Sequence, residues 1–500
     1  MNSMPPEIIS EIFLLSLREG EQRTPHEMLH LTQVCGRWRE IASTTPSLWT
    51  HLNVSTSSRA DPIFHPKFVQ SWARKSANLM VHLRLRQGQG IINVEADSED
   101  IISFLMCIGQ KLATFEMKFP LLCLGDALTR LPSGISLSRL RCIKISMNKH
   151  FDTLSLNNIS SISSNSPSLT SIDGVNGHTI NLLLTLNMFH WHQLTELSID
   201  EESLELSAIR KILFGCRNLV TLKIRTLSND FVGLNPPSGL PGPVQTLPYL
   251  TFLSCSLTGD EDCMTLFQPF DFPRLASLDF VTVGNAMPAL LMLRERTPFP
   301  LTRVALAHCP DITSAEMCLF FSECSSIEEL DLCDSFDTSW FNSDLMKALT
   351  YEPGGRNLLL PQLHKLTLDI AFHREDYTLN TLYLQLEIAK MISSRWSIHP
   401  LPRRWTQVSA SFSAGEELIR CISPLVFDIY RRCMAQGMSL ELIYYPYEQG
   451  GNASVQSFTG GSESLTYVLS LMEAFLSACI LIPIFTYCLL QVVYNFNPSV

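Results

Sequence analysis

The sequence has no concentrated run of Lys and Arg, and its 37 basic residues are outnumbered by 48 acidic ones. The net charge of −11 argues against a nucleic-acid-binding protein, because phosphate contacts require a basic face. Sequence fingerprints of phosphate-binding loops, zinc proteases, serine hydrolases and dinucleotide-binding folds are missing as well. We therefore expect a non-catalytic protein without a cofactor, whose main partner is another protein.

Closely spaced cysteine pairs are also missing. The 15 Cys residues are scattered singly and form no C-x-x-C pair, a distribution that favours neither a zinc site nor a compact disulfide framework. Free Cys is among the most buried residue types in proteins. We expect reduced, structural thiols and no metal site.

The two ends of the chain bear on its location. The first residues lack the basic segment followed by an apolar one that marks a secretory signal, so we expect a cytoplasmic or nuclear protein. After a Gly- and Ser-rich stretch, predicted to be a flexible linker at 446–464, no charged residue follows Glu473. In the tail 465–500, the largely apolar residues 474–490 are near the lower length limit for a membrane span, and the stretch reaches 494 if Gln491 is tolerated. Three interpretations stay open: a membrane anchor, an artefact of gene prediction, or a packed apolar helix.

Internal repeats dominate the middle of the sequence. The template L-x-x-L-x-L recurs with starting positions 25 to 36 residues apart, close to the spacing of about 20 to 29 residues in leucine-rich repeats. Two weaker units, 80–85 and 112–117, precede the others. The main units occupy 140–145, 169–174, 194–199, 219–224, 250–255, 275–280, 301–306, 327–332 and 363–368.

Each repeat unit is expected to form a short strand followed by a helix or irregular turn. Residues 301–332 resemble the cysteine-containing leucine-rich repeat, and 417–445 is typical of a terminal helix and strand. The sequence thus predicts an α/β fold in which a leucine-rich-repeat solenoid spans 79–445. Parallel strands would line its concave face, and helices or irregular turns its convex face.

The first fifty residues predict three short helical segments. Pro5 and Pro6 open a helix with an apolar stripe, a second helix follows around Trp38, and a last turn begins at Pro46 and carries Trp49. Segments this short cannot enclose a sizeable core. Much of their apolar surface is therefore expected to be buried against something else.

This N-terminal pattern resembles a known family. The sequence MPPEIISEIF, followed by V-C-x-x-W-R-x-I-A and P-x-L-W, resembles the F-box, and we assign residues 1–54 to it. The next segment, with a linker helix in 55–78, is similar to the region after the F-box in fungal F-box proteins. The resemblance implies a non-catalytic substrate receptor that binds a Skp-type adaptor, and through it a cullin, in a ubiquitin ligase. The alternative is a repeat scaffold outside any ligase, or a tail-anchored interaction protein.

The resemblance also implies which residues contact the adaptor. For Val34, Cys35 and Trp38 burial inside the helical domain is an equal alternative, whereas Pro6, Ile9 and Trp49 are expected to touch the partner. The full predicted set is Pro5, Pro6, Ile8, Ile9, Ile12, Phe13, Leu31, Val34, Cys35, Trp38, Leu48 and Trp49.

Overall fold

The computed structural model divides the chain into two compact units. Unit 1 comprises residues 1–258 and 265–274, and unit 2 comprises residues 259–264 and 275–500. The residues that the structure describes are 4–17, 25–55, 66–86, 94–118, 127, 130, 132, 135–145, 166–175, 190–201, 206–226, 244–257, 260–282, 286–307, 309, 312–335, 342–352, 358–371, 379–396, 407–414, 424–435, 440–446 and 456–458.

The N-terminal region of unit 1 is helical. Its segments are α1 Pro6–Ser16, α2 Pro25–Val34, α3 Gly36–Thr44 and a 3-10 turn, Pro46–Trp49. The second predicted helix is broken at Cys35, whose backbone is extended with φ −159° and ψ 168°. The Sγ atom of Cys35 accepts a hydrogen bond from the Trp38 N–H at 3.4 Å, so this residue caps α3 instead of continuing α2.

A parallel sheet follows in unit 1. Its strands lie in chain order, except that β8 and β10 pair with each other. They are β1 His51–Ser55, β2 Val81–Arg86, β3 Leu112–Lys118, β4 Cys142–Ile145, β5 Ser171–Val175, β6 Glu196–Glu201, β7 Thr221–Thr226, β8 Gln245–Thr246, β9 Phe252–Leu257 and β10 Phe270–Asp271. The helices along this part of the chain are α4 Pro66–Lys75, α5 Val94–Ile108, α6 Leu206–Gly215 and α7 Asp260–Phe267, with short 3-10 turns at Gly109–Lys111 and Trp191–Gln193.

Unit 2 has the same alternation of strand and helix. Its strands are β11 Ser277–Thr282, β12 Arg303–Ala307, β13 Glu329–Ser335, β14 Lys365–Ala371, β15 Gln407–Ala414, β16 Leu440–Pro446 and β17 Gln456–Phe458. Its helices are α8 Met287–Arg296, α9 Ser314–Glu323, α10 Ser343–Leu349, α11 Leu379–Trp396 and α12 Pro424–Ala435. Strands β11 to β16 pair in parallel, and β17 pairs antiparallel with β16. The stretch predicted to be a flexible linker thus contains a strand.

A repeated turn leads into the strands of the predicted repeat units. The first apolar residue of a repeat donates its N–H to the carbonyl three residues earlier, as in Leu140 to Leu137 at 2.9 Å and Leu363 to Leu360 at 3.2 Å. The residue at this earlier position is fully buried in several turns, including Cys216 and Cys324. Burial explains why the residue three positions before a repeat is usually apolar.

Main-chain hydrogen bonds also tie successive repeats together. The carbonyl of Thr302 accepts the N–H groups of Glu328 at 2.7 Å and Glu329 at 3.0 Å. Within unit 1, the Arg141 carbonyl accepts the N–H groups of Thr170 and Ser171 from the next repeat in the same way. Because each repeat satisfies polar groups of its neighbour, the stack is stabilised cooperatively.

The coarse fold prediction is confirmed. The molecule is mixed α/β, with a helical N-terminal region and a large parallel sheet. Across the described ranges, no helix has the length and apolar character needed to span a membrane. The predicted span at 474–494 lies outside the described residues.

Candidate interaction surface

Helix α1 presents two different apolar faces. Ile9 and Phe13 point inward and are 5% and 1% exposed. Ile8, Ile12 and Leu15 are about half exposed, at 49%, 46% and 54%. Their spacing of four and three residues places these three side chains in one row along the helix, here called the α1 stripe. A row of exposed aliphatic side chains is typical of a protein-binding surface.

The end of α2 is a further exposed part of the helical domain. Val34, its last residue, is 61% exposed, and Cys35 beside it is also exposed. The interior alternative is therefore wrong for these two residues. Leu31 and Trp38 are half-buried, while Pro5 and Pro6 at the start of α1 are exposed.

Contacts from α3 and the following residue fix the orientation of α1. The rings of Phe13 and Trp38 meet edge to face with centroids 4.8 Å apart. The Ser10 and Thr45 hydroxyl groups are hydrogen-bonded at 3.0 Å, and the Arg37 guanidinium donates to the Met4 carbonyl. Held in this way, α1 keeps its stripe directed outward.

Some of the predicted contact residues are in the interior. Ile9, Phe13, Leu48 and Trp49 are buried, so they support the surface instead of forming it. Leu15, by contrast, was not among the predicted contact residues. Its position three residues after Ile12 places it in the same helical row and could have indicated its exposure.

Trp49 lies in the interior and is covered by neighbouring side chains. Its side chain is 1% exposed, and its indole Nε1 donates to the Ala42 carbonyl at 2.7 Å. The ring packs edge to face on Trp72 with centroids 4.7 Å apart, and the Lys75 Nζ lies 4.0 Å from the ring centroid. Burial lowers the pKa of Lys75. Helix α4 covers Trp49 in this conformation, and contact of Trp49 with a partner stays a prediction.

A second candidate surface lies on the sheet. Along the strands, fully buried side chains alternate with partly exposed ones, as in Leu222, Lys223 and Ile224. The partly exposed side chains form what we call the open face of each unit. In unit 1 this face contains cross-strand ion pairs, Arg84 with Glu116 at 2.5 Å and Lys144 with Asp173 at 3.3 Å.

The open face of unit 2 is charged as well. Arg303 lies 2.9 Å from Asp331 and 3.8 Å from Glu329, and Lys365 lies 3.4 Å from the same Glu329. The hydrogen bond that Arg303 donates to the Asp331 carboxylate is the main cause that raises the pKa of Arg303. These partly exposed pairs orient one another but contribute little to stability.

The next question is whether the described residues include a metal-binding group or a reactive thiol. No group of three or more His, Cys, Asp or Glu side chains there could hold a metal ion. Burial raises the pKa of Cys216 to about 12 and that of Cys324 to about 11. Such thiols stay protonated at neutral pH and are unreactive.

The N-terminal helices can now be compared with known proteins. Residues 1–55 match a family model described as F-box-like. These residues form an F-box-like domain. The domain contains α1 to α3, the Pro46–Trp49 turn and strand β1. A comparison of the whole chain with curated proteins found no match.

Proposed function

We propose that this protein is the substrate-recognition subunit of an SCF-type ubiquitin ligase. The F-box-like domain would bind a Skp-type adaptor, which connects to a cullin, and the strand-helix repeats would hold the protein to be ubiquitylated. The chain itself would perform no catalysis, because the transfer chemistry belongs to its partners. Its repeats would be of the leucine-rich type, and the chain would resemble fungal F-box proteins.

The α1 stripe is the observation that supports adaptor binding most directly. Ile8, Ile12 and Leu15 are aliphatic, lie in one row and are about half exposed, and burying the remaining half of each would be favourable by roughly 0.7 to 1.5 kcal/mol. A partner helix or groove that covers this row would gain much of that free energy. Val34 is a further candidate anchor, and Pro5 and Pro6 would contribute from the start of the helix.

The repeat region supports the second half of the proposal. Its open faces display charged and polar side chains on rigid strands, as in Lys223, Arg303 and Asp331. The backbone of packed strands is already fixed and loses little additional entropy on binding, which favours specific recognition. Terminal helix α12 and strand β16 would close the array.

A pull-down with purified Skp-type adaptor tests the proposal. The native chain is expected to capture the adaptor, and the double substitution Ile8→Asp with Ile12→Asp is expected to abolish capture. Both changes place charges on residues that are already exposed, so the melting temperature should change little. Leu319→Asp is a matched control, because Leu319 is 52% exposed on α9, far along the chain.

The controls separate adaptor binding from folding. If the native chain captures no adaptor, the proposal is rejected. If the Ile8 and Ile12 variant binds as tightly as the native chain, the α1 stripe is not the docking surface. Equal loss with Leu319→Asp would show that the assay responds to surface charge alone.

A further inference from the structure

We propose that the open face of unit 2 binds a basic peptide segment of a partner protein, with its Lys or Arg side chains paired to Asp279, Asp331 and Asp369. This inference rests on the proposed function, because the face would then hold the target. It adds the chemistry of that target: a segment rich in positive charge.

The strand register arranges this face in rows. Asp279, Ala305 and Asp331 are aligned across strands β11, β12 and β13. The next row toward the carboxyl ends of the strands aligns Val281, Ala307, Cys333 and Asp369. The residues between these positions, including Leu306, Leu330 and Leu332, are buried and form the opposite face.

Charges are sorted between the rows. The row nearest the amino ends of the strands contains Arg303, Glu329 and Lys365. The two following rows, from β11 to β14, contain Asp279, Asp331 and Asp369 and no Lys or Arg. From β11 to β14 the face therefore carries four carboxylates against two cations, and the negative charge lies toward the carboxyl ends.

Small residues lie between the carboxylates. Ala305 is the register partner of both Asp279 and Asp331, and Ala307 follows on the same side of β12. Neighbouring strands are about 4.8 Å apart, which leaves roughly 10 Å between the Cα atoms of the two Asp residues. The aliphatic stem of a Lys or Arg can lie on the two Ala methyl groups while its charged end reaches a carboxylate.

Arg303 provides an internal comparison for the proposal. It donates to Asp331 at 2.9 Å, so a basic side chain from a partner would compete with it for this carboxylate. Removal of the Arg303 charge is therefore expected to strengthen binding of a basic segment. An acidic partner would require the opposite result, because Arg303 would be one of its anchors.

The test is a fluorescence anisotropy titration of the full-length chain. The probe is a labelled peptide of roughly nine residues with alternating Lys and Thr, and the control peptide has Glu in place of Lys. The Lys peptide is expected to bind, and the Glu peptide is not. Affinity should fall as salt is raised from about 0.05 M to about 0.3 M, because the ion pairs are partly exposed.

Substitutions locate the binding face. Asp279→Asn with Asp331→Asn is expected to weaken Lys-peptide binding by about fivefold to tenfold, and Arg303→Gln to strengthen it by about threefold. The matched control is Glu196→Gln with Asp200→Asn, which removes the same charge from exposed residues on the open face of unit 1. This control should leave the affinity unchanged.

Several results would overturn the inference. Equal weakening by both double substitutions would indicate general attraction to a chain of net charge −11. If Arg303→Gln binds the Lys peptide more weakly than the native chain does, or if the Glu peptide binds, the inference of a basic partner is also rejected. Adaptor capture should be intact in the Asp279 and Asp331 variant, so failure of the proposed function and failure of this inference give different results.

Discussion

The indole rings of Trp49 and Trp72 meet edge to face, with centroids 4.7 Å apart and an interplanar angle of 75°. Trp49 ends the 3-10 turn of the F-box-like domain, and Trp72 belongs to α4, beyond that domain. Both side chains are at least 98% buried. The F-box-like domain therefore shares its interior with the helix that follows it.

Trp49→Ala is predicted to destabilise the protein by about 3 to 5 kcal/mol, because it leaves a large cavity and removes the donor to the Ala42 carbonyl. Urea denaturation measures this loss. The half-buried Trp38 offers a control, and Trp38→Ala should cost less. Trp49→Phe, which keeps an aromatic ring, should capture the adaptor as well as the native chain. Reduced capture by a stably folded Trp49→Phe variant would mean that Trp49 does contact the partner.

The cysteines are predicted to differ sharply in reactivity. Cys35 is exposed, whereas burial raises the pKa of Cys216 to about 12 and of Cys324 to about 11. In the native state at about pH 8, a maleimide reagent should modify Cys35 first, because buried thiols are protonated and covered. Mass spectrometry of peptides after short labelling measures the order. Bound adaptor should protect Cys35, and early labelling of Cys216 would contradict the structure.

His82 is predicted to make stability depend on pH. Burial lowers its pKa from the ordinary value near 6.5, and its ring stacks on that of His51 at 4.6 Å. The unfolded chain then binds the proton at a higher pH than the folded chain does. Stability therefore falls as the pH drops below about 6.5 and is recovered above it.

Urea titrations at about pH 7.5 and about pH 5.5 check this dependence for native protein and for His82→Asn. The substitution should reduce the loss of stability at the lower pH. His192→Asn removes an exposed histidine and should leave the native dependence unchanged. If the free energy of unfolding has the same pH dependence in native protein and in His82→Asn, His82 is not the cause of that dependence.

Arg395 is predicted to be difficult to replace even by lysine. Its side chain is 2% exposed, and burial lowers its pKa to about 10. The guanidinium donates to the carbonyls of Leu349 at 2.6 Å, Leu360 at 3.0 Å and Leu359. A lysine ammonium cannot reproduce this planar fork, so Arg395→Lys should cost about 1 to 3 kcal/mol.

Thermal unfolding measures the effect of Arg395→Lys. The matched control is Arg432→Lys on α12, where the exposed Arg432 Nε donates to the Asp428 carbonyl at 3.2 Å. That exposed change should alter stability by less than about 0.5 kcal/mol. If both substitutions change stability equally, the three carbonyl contacts of Arg395 do not contribute specifically to stability.

The repeats were predictable because large apolar side chains recur at equivalent positions in successive strands. Leu222 and Leu253, for example, occupy equivalent buried positions in neighbouring strands. Strand β15 escaped prediction because its sequence, QVSASFSA, has small residues where the template has leucine. A short sequence of this kind forms a strand because its neighbours on both sides are strands.

The candidate site was predictable only in part. The apolar stripe of α1 follows from helical periodicity, but the sequence does not tell which of its two apolar faces is covered. That depends on distant residues, such as Trp38 for Phe13 and Trp72 for Trp49. The match to F-box patterns was enough to locate the domain in the sequence. Which of its residues are buried and which are exposed depends on the packing of α3 and α4, which the structure shows.

The F-box-like match ends at residue 55, the last residue of β1, and β1 pairs in parallel with β2 from His51↔His82 to Ser55↔Arg86. A fragment that begins at residue 56 would therefore expose β2 as an unprotected sheet edge and leave Trp72 uncovered. Such fragments are prone to aggregate through the open edge. Experiments that aim to uncouple the repeats from the proposed adaptor should keep the first 55 residues and substitute the α1 stripe, since deletion would damage both proposed binding functions at once.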